Sequence, residues 1–190
     1  MKLKKYLFKS VTSTNDIAIK KIKEGIPSGL IVAKKQIKGR GRYGSSWVYL
    51  KNNLFMSVFF NLNNKISLKR LTSTSCKIVK KSLLKLLNKK ITIKKPNDLL
   101  INKKKVCGIL QEIVTKKESK YLVIGIGLNL ISNPLINNYP TTNIYDETKK
   151  KPNLDHLLKI IIKHYEKIIN QLKNNKYLSF DNKNINIFSN

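Results

Sequence analysis

The run Gln36-Ile-Lys-Gly-Arg-Gly-Arg-Tyr-Gly-Ser-Ser-Trp47 constrains this chain more than any other stretch. Of 39 lysines and arginines only Arg40, Arg42 and Arg70 are arginine, and two of them lie here. With them stand Gly39, Gly41 and Gly44, out of eight glycines, and the only tryptophan, Trp47. Arginine presents a planar fork of donors that matches a carboxylate or phosphate, whereas lysine is a mobile point charge. Glycine lets backbone N–H groups come close to an anion and takes up positive φ without penalty. The stretch therefore reads as an anion clamp in a tight loop. Its Gly39-x-Gly41-x-x-Gly44 spacing matches a dinucleotide fingerprint, but that motif needs a helix opening within it. Here a second apolar, β-rich run from Val48 to Leu62 follows instead. The lack of a closing Gly-Lys-Ser/Thr excludes a P-loop, and the lack of His-Arg-Asp and Asp-Phe-Gly excludes a kinase loop. A plain flexible hairpin is the bland alternative. It leaves the convergence of scarce residue types unexplained.

At 190 residues the chain fits one domain, spanning 1–190, with a real hydrophobic core. The formal charge of +29 invites a nucleic-acid reading. The lysines, however, are spread along the whole chain, and lysine, asparagine and isoleucine are the residues that an AT-rich coding sequence favours. Diffuse charge of this kind favours solubility and non-specific attraction to polyanions, not a specific DNA site. Cys76 and Cys107 sit in apolar segments and read as reduced core residues. No apolar run approaches a membrane span, and Met1-Lys-Leu-Lys-Lys is not followed by a signal-type apolar stretch. The expected setting is cytoplasmic, with no membrane partner.

In chain order, residues 3–8 predict a short strand. Ser13 or Thr14 caps a helix that ends at Gly25 and Pro27. Strands are expected from Leu30 to Lys35 and from Leu54 to Phe60, and a helix from Ser67 to Leu87. Ile91–Ile93, Leu99–Ile101, Val106–Val114 and Tyr121–Leu130 predict further strands, with a turn at Asn102–Lys105. Gly125 and Gly127 inside the last strand suggest close approach of a ligand or another backbone. Residues 131–150 read as a loop, Asn153 to about Asn174 as an amphipathic helix, and the tail from Tyr177 as polar and frayed. His156 and His164, eight residues apart on that helix with no further ligand nearby, do not read as a metal site.

Five segments in order carry a family likeness: Ser13-Thr-Asn15, the loop Gln36 to Trp47, Lys94-x-Pro-Asn-Asp98, Lys105-Val-Cys-Gly-Ile-Leu110 with Glu112, and Ile124-Gly-Ile-Gly-Leu-Asn129. Together they resemble the catalytic domain of biotin protein ligases over roughly residues 10–180. The resemblance implies an α/β (α+β) fold, a largely antiparallel mixed sheet flanked by helices like that of class II aminoacyl-tRNA synthetases. It implies activation of biotin by ATP, with Mg²⁺, to biotinyl-AMP, then transfer to a lysine of the biotin carboxyl carrier protein of acetyl-CoA carboxylase. It implies that Ser13, Thr14 and Gln36 bind the ureido ring, and that Gly39, Arg40 and Arg42 wrap the ligand. Arg42 and Lys105 would meet the carboxylate–phosphate junction, and Trp47 and Asn129 the adenine. Asn97 and Asp98 would lie on the phosphate side, with Asp98 as the metal ligand. Gly108, Gly125 and Gly127 would admit the ligand to the sheet surface.

Three departures stand out. Tyr43 and Ser45 occupy loop positions where the family commonly has further basic residues. Lys95 replaces the usual tryptophan of Lys-Trp-Pro-Asn-Asp. Neither an N-terminal helix-turn-helix nor a C-terminal β-barrel is expected, so no specific DNA partner is expected, and the state is monomer or homodimer. Lipoate–protein ligase chemistry, a ligase that binds biotin but turns over poorly, and a non-catalytic basic nucleic-acid-binding module remain as alternatives.

Overall fold

Strand alternation builds the frame. In the Leu54–Leu62 strand, Leu54, Met56, Val58 and Phe60 point into one cluster of buried residues, while Phe59 joins another on the opposite side. The same parity recurs in Ser119–Leu128, where Ile124, Ile126 and Leu128 join the first cluster and Val123 the second. Successive side chains of a strand face opposite sides, so both faces of this sheet are covered. The computed structural model describes residues 2–62, 68–137 and 139–173.

The elements are β1 (Lys5–Phe8), α1 (Thr14–Lys23), β2 (Ser28–Ala33), β3 (Gly39–Arg40), β4 (Ser46–Trp47), β5 (Leu54–Leu62), α2 (Leu68–Leu84), β6 (Ile91–Lys94), β7 (Asp98–Ile101), β8 (Lys104–Lys116), β9 (Ser119–Leu128), α3 (Ile144–Thr148) and α4 (Leu154–Lys173). Seven strands form one sheet in the order β1-β2-β5-β9-β8-β7-β6, and β3 and β4 form a separate hairpin. Every neighbouring pair in the large sheet is antiparallel except β1–β2. That parallel pair needs a crossover, which α1 supplies. Ala18 and Ile22 of α1 pack on Ile31, Phe59 and Val123. On the other face, Ile78, Val79 and Leu83 of α2 and Leu157, Ile161 and Tyr165 of α4 pack on Met56, Val58, Ile124 and Ile126. Each such aliphatic side chain contributes about 1.5–3 kcal/mol on full burial, so this second face is the main stabilising layer.

Three expectations change in detail. The run read as β-rich from Val48 enters the sheet only at Leu54, because β4 ends at Trp47 and the chain must turn from hairpin to sheet. The 131–150 segment contains α3, whose N-cap Asn143 accepts a hydrogen bond from the Asp146 amide. The helix expected from Ser67 is observed over Leu68–Leu84. Ser67 and the polar tail from Tyr177 lie outside the described residues. Cys76 and Cys107 are free and buried; burial pushes the Cys76 thiol up to about 12. No helix among the described residues is long and apolar enough to cross a membrane.

One ladder positions the site. The parallel β1–β2 pairing continues past both strands through a bridge between Val11 and Gln36. The chain leaving β1 then enters α1 beside the chain leaving β2, so Ser13, Thr14 and Asn15 meet Gln36.

Candidate active site

A cavity of about 360 Å³ opens on the α1 face of the sheet. Its walls are the N-terminus of α1, the β3–β4 hairpin, the β6–β7 turn and the glycine-bearing stretches of β8 and β9.

One end is polar and neutral. The Thr14 amide and hydroxyl donate to Gln36 Oε1 at 2.8 and 3.0 Å. The Ser57 hydroxyl lies 2.7 Å from Thr14 Oγ1 and 2.5 Å from Asn15 Oδ1, and its single proton serves one of them at a time. Ser13 is the N-cap of α1, but its hydroxyl makes no capping bond and Ser13 lines the cavity. Thr14, Gln36 and Ser57 are buried, where a polar group left without a partner is costly. The cluster is therefore held in one arrangement.

A charged string ties this end to the arginine loop. Asn15 Nδ2 donates to Glu112 Oε2 at 2.5 Å, and Arg40 Nη2 reaches the same carboxylate at 3.1 and 3.2 Å. Arg40 Nη1 donates to Asp16 at 2.6 Å. Partial burial works against the Arg40 charge, but its hydrogen bond to Asp16 and the field of Glu112 outweigh it and raise its pKa. Arg40 thus latches the start of the hairpin onto α1 and β8.

The glycines of the sheet make room for side chains. A Cβ on Gly127 would come within 2.3 Å of the Trp47 ring, one on Gly108 within 2.5 Å, and one on Gly125 within 2.5 Å of Asn15 Oδ1. All three glycines line the cavity, as expected of a sheet surface left open, with the indole of Trp47 lying against two of them and the amide of Asn15 against the third. The buried Trp47 indole N–H has no hydrogen-bond partner among the described residues.

The other end is cationic. Lys105 Nζ lies 3.0 Å from Asp98 Oδ1 and 5.4 Å from the centre of the Trp47 ring. Tyr139 donates to Asp98 Oδ2 at 2.6 Å, and burial followed by that carboxylate pushes its hydroxyl pKa well up, keeping it a donor. Lys94 and Lys105 sit 4.1 and 5.3 Å from the centre of the same tyrosine ring. Arg42 lines the cavity too, but it donates to the Tyr43 hydroxyl at 2.7 Å and stacks on that ring. Arg42 and Lys105, expected at one junction, share the cavity without touching.

Asn97 lines the cavity with its amide donating to the Ile109 carbonyl at 2.7 Å. Asn129 and Gly39 do not line the cavity. Asn129 is buried below the cavity, donating to the Thr142 carbonyl at 3.1 Å, because the chain before α3 needs an anchor. Gly39 stands behind the wall, where a Cβ would meet Gln36 and the Trp47 carbonyl at 2.5 Å. Sequence reasoning missed Ser57, Asp16 and Tyr139. Ser57 had a signal, as the lone hydroxyl in the apolar run Leu54–Phe60, and Asp16 as one of ten acids. Tyr139, in an irregular segment, had none.

The architecture and motifs have known counterparts. The model for the biotin/lipoate A/B protein ligase family matches residues 7–129. The bifunctional ligase/repressor BirA of Bacillus subtilis is 34% identical over 136 residues, covering 68% of this chain and 41% of that protein. That of Escherichia coli is 32% identical over 123 residues, covering 63% and 38%. The chain thus spans about two fifths of the length of these relatives. Among solved structures, the biotin protein ligase of Aquifex aeolicus in complex with biotin and ATP superposes with a TM-score of 0.76 at 25% identity, covering 90% of this chain and 72% of that one. With more than half its length matched by the family model, the chain belongs to the biotin/lipoate A/B protein ligase family.

Proposed function

We propose that this chain condenses biotin with ATP to biotinyl-AMP and transfers the biotinyl group to a lysine of a biotin carboxyl carrier protein. The observation that carries the reading is the polarity of the cavity, with a neutral hydrogen-bonding cluster at one end and cations at the other. A ureido ring has donors and acceptors on one edge and no charge. Ser13, Thr14 and Gln36 offer hydroxyl and amide groups for that edge, and the buried setting makes each satisfied bond discriminating. A dithiolane ring, as in lipoate, has no N–H or carbonyl group to meet this polar cluster. This favours biotin over lipoate.

The chemistry at the other end sets two anions against each other. The biotin carboxylate attacks the α-phosphorus of ATP, the bond to the bridging oxygen breaks, and pyrophosphate leaves with the electron pair. Fixed positive charge beside the developing phosphorane is the main lever available. Lys105 supplies it from β8, oriented by Asp98, whose other oxygen is held by Tyr139. Arg42 would supply a second donor on leaving Tyr43 for the ligand's phosphate, with Arg40 keeping the hairpin base in place. The outer face of the Trp47 indole offers adenine a flat apolar plate. In the second step a neutral lysine amine of the carrier attacks the acyl carbon and AMP leaves.

Asn97 and Asp98 face the phosphate side in this reading, but they do not build a metal site. Asp98 is engaged by Lys105 and Tyr139, and no group of three or more His, Cys, Asp or Glu ligands gathers among the described residues. Mg²⁺ would enter with the phosphates of ATP. We place the reaction in the cytoplasm, on one catalytic domain. The test is incubation with a biotin-carrier domain, ATP and either biotin or lipoate. A mass gain of one biotinyl group on one carrier lysine is expected; a lipoyl adduct instead, or no adduct, overturns the reading.

A further inference from the structure

The cationic side chains of the cavity are unevenly paired. Arg40 has Asp16 and Glu112, and Lys105 has Asp98. Arg42, Lys94 and Lys95 line the same cavity with no ion-pair partner among the described residues. Two of these three are already in contact with rings, Arg42 on Tyr43 and Lys94 on Tyr139. Lys95 has neither carboxylate nor ring. It stands on the turn between β6 and β7, three residues before Asp98, and lines the cavity together with the β3–β4 hairpin.

Beyond Arg42, which is held on Tyr43, the hairpin tip adds no charge to the cavity. Tyr43 is 93% exposed at φ +54, and Ser45 donates back to the Arg42 carbonyl at 2.8 Å, so neither presents a cation to a polyanion. A triphosphate with its α-phosphorus near Lys105 must send its outer phosphates toward open solvent, past one rim or the other. The β6–β7 rim is the one with an uncommitted ammonium.

We propose that Lys95 is the β,γ-phosphate subsite of the ATP site, holding the outer phosphates and then the leaving pyrophosphate. The proposal rests on the adenylation reading and adds a residue to it. Lysine suits the role. A mobile, strongly hydrated point charge attracts a polyanion without the fixed geometry that would retain the product. Being exposed, it makes a modest and salt-sensitive contribution.

The experiment measures binding of ATP, of pyrophosphate and of a hydrolysis-resistant biotinyl-AMP analogue. It uses the wild-type chain, Lys95→Ala, Lys95→Glu and the control Lys159→Ala, which removes an exposed lysine from α4 on the far face of the sheet. Lys95→Ala should weaken ATP and pyrophosphate by about fivefold, and Lys95→Glu by more, as expected for an exposed charge pair. The analogue, which lacks outer phosphates, should bind all four proteins alike, which also reports that each is folded. Equal ATP affinity in wild type and both Lys95 variants overturns the subsite. So does an analogue weakened as much as ATP, or a Lys159→Ala loss equal to that of Lys95→Ala. A wild-type chain that binds neither ATP nor the analogue refutes the adenylation reading itself, and the subsite with it.

Discussion

The two faces of the central strands do opposite things. Toward α2 and α4, β5 and β9 present Met56, Val58, Ile124 and Ile126, all fully or almost fully buried in one aliphatic layer. Toward the cavity the same strands present Ser57, Gly125 and Gly127, and the space is filled by Asn15 and Trp47 from elsewhere in the chain. One parity of residues supplies stability and the other leaves room for polar groups and a ligand. The lesson is that the site is built by withholding side chains from a well-packed sheet. Its neighbours are then held by hydrogen bonds instead of by packing.

That division can be broken most forcefully from the packed side. Ile126→Ala should cost about 2–5 kcal/mol of unfolding free energy, as core truncations do, read by urea denaturation. Biotin affinity of the folded fraction should stay near wild type. Gly125→Ala, one residue away, should behave in the reverse way. Its Cβ would meet Asn15 Oδ1 at 2.5 Å and force that amide off Ser57 and Glu112. Biotin binding should fall by about tenfold, the scale of one disrupted buried hydrogen bond, with the smaller stability loss. If Gly125→Ala unfolds the chain as much as Ile126→Ala, the two faces are not functionally distinct.

A weaker effect is expected where the string reaches solvent. Glu112→Gln keeps an acceptor for Asn15 but removes the charge facing Arg40, which is 40% exposed. The loss in stability should be about 1 kcal/mol or less, and high salt should erase the difference between variant and wild type. A salt-independent loss would mean that Glu112 acts by packing.

The smallest effect lies on the α2–α4 layer. His164 Nδ1 is 2.9 Å from Ser82 Oγ, and burial, then Lys85, Lys81, Lys167 and Lys163, lower its pKa from 6.5. The folded state disfavours the imidazolium, so the contribution is present above pH 6.5 and is lost as pH falls through the depressed folded value. Wild-type stability should therefore fall more steeply on acidification than that of His164→Gln. Identical pH profiles would contradict the placement.

Much of this was legible in the chain. The alternation of β5 and β9, the amphipathic period of α4 and the scarce arginines among glycines each have a direct physical signature. So did the gathering of Ser13, Thr14, Gln36, Arg42, Trp47, Asp98 and Lys105 on one cavity, through ordered motifs. What escaped has physical reasons. With Ile144 its only buried residue, α3 is five residues long, too short for periodicity to show. Tyr139 comes from an irregular stretch that acquires meaning only when folded over Asp98. The burial of Asn129 depends on where the Thr142 carbonyl lies, a long-range fact that no local pattern encodes. The occupants of the space over Gly108, Gly125 and Gly127 could not be read either, since a missing side chain does not name its neighbour.

The central claim is that the cationic end of the cavity activates a carboxylate held by the polar end. Biotin-dependent exchange of labelled pyrophosphate into ATP tests it most directly, in wild type and Lys105→Ala. The wild-type chain should exchange with biotin and not with lipoate, and Lys105→Ala should lose about 2–4 kcal/mol of transition-state stabilisation while still binding biotin. Exchange that does not need biotin, or that persists at the wild-type rate without the Lys105 ammonium, would contradict it.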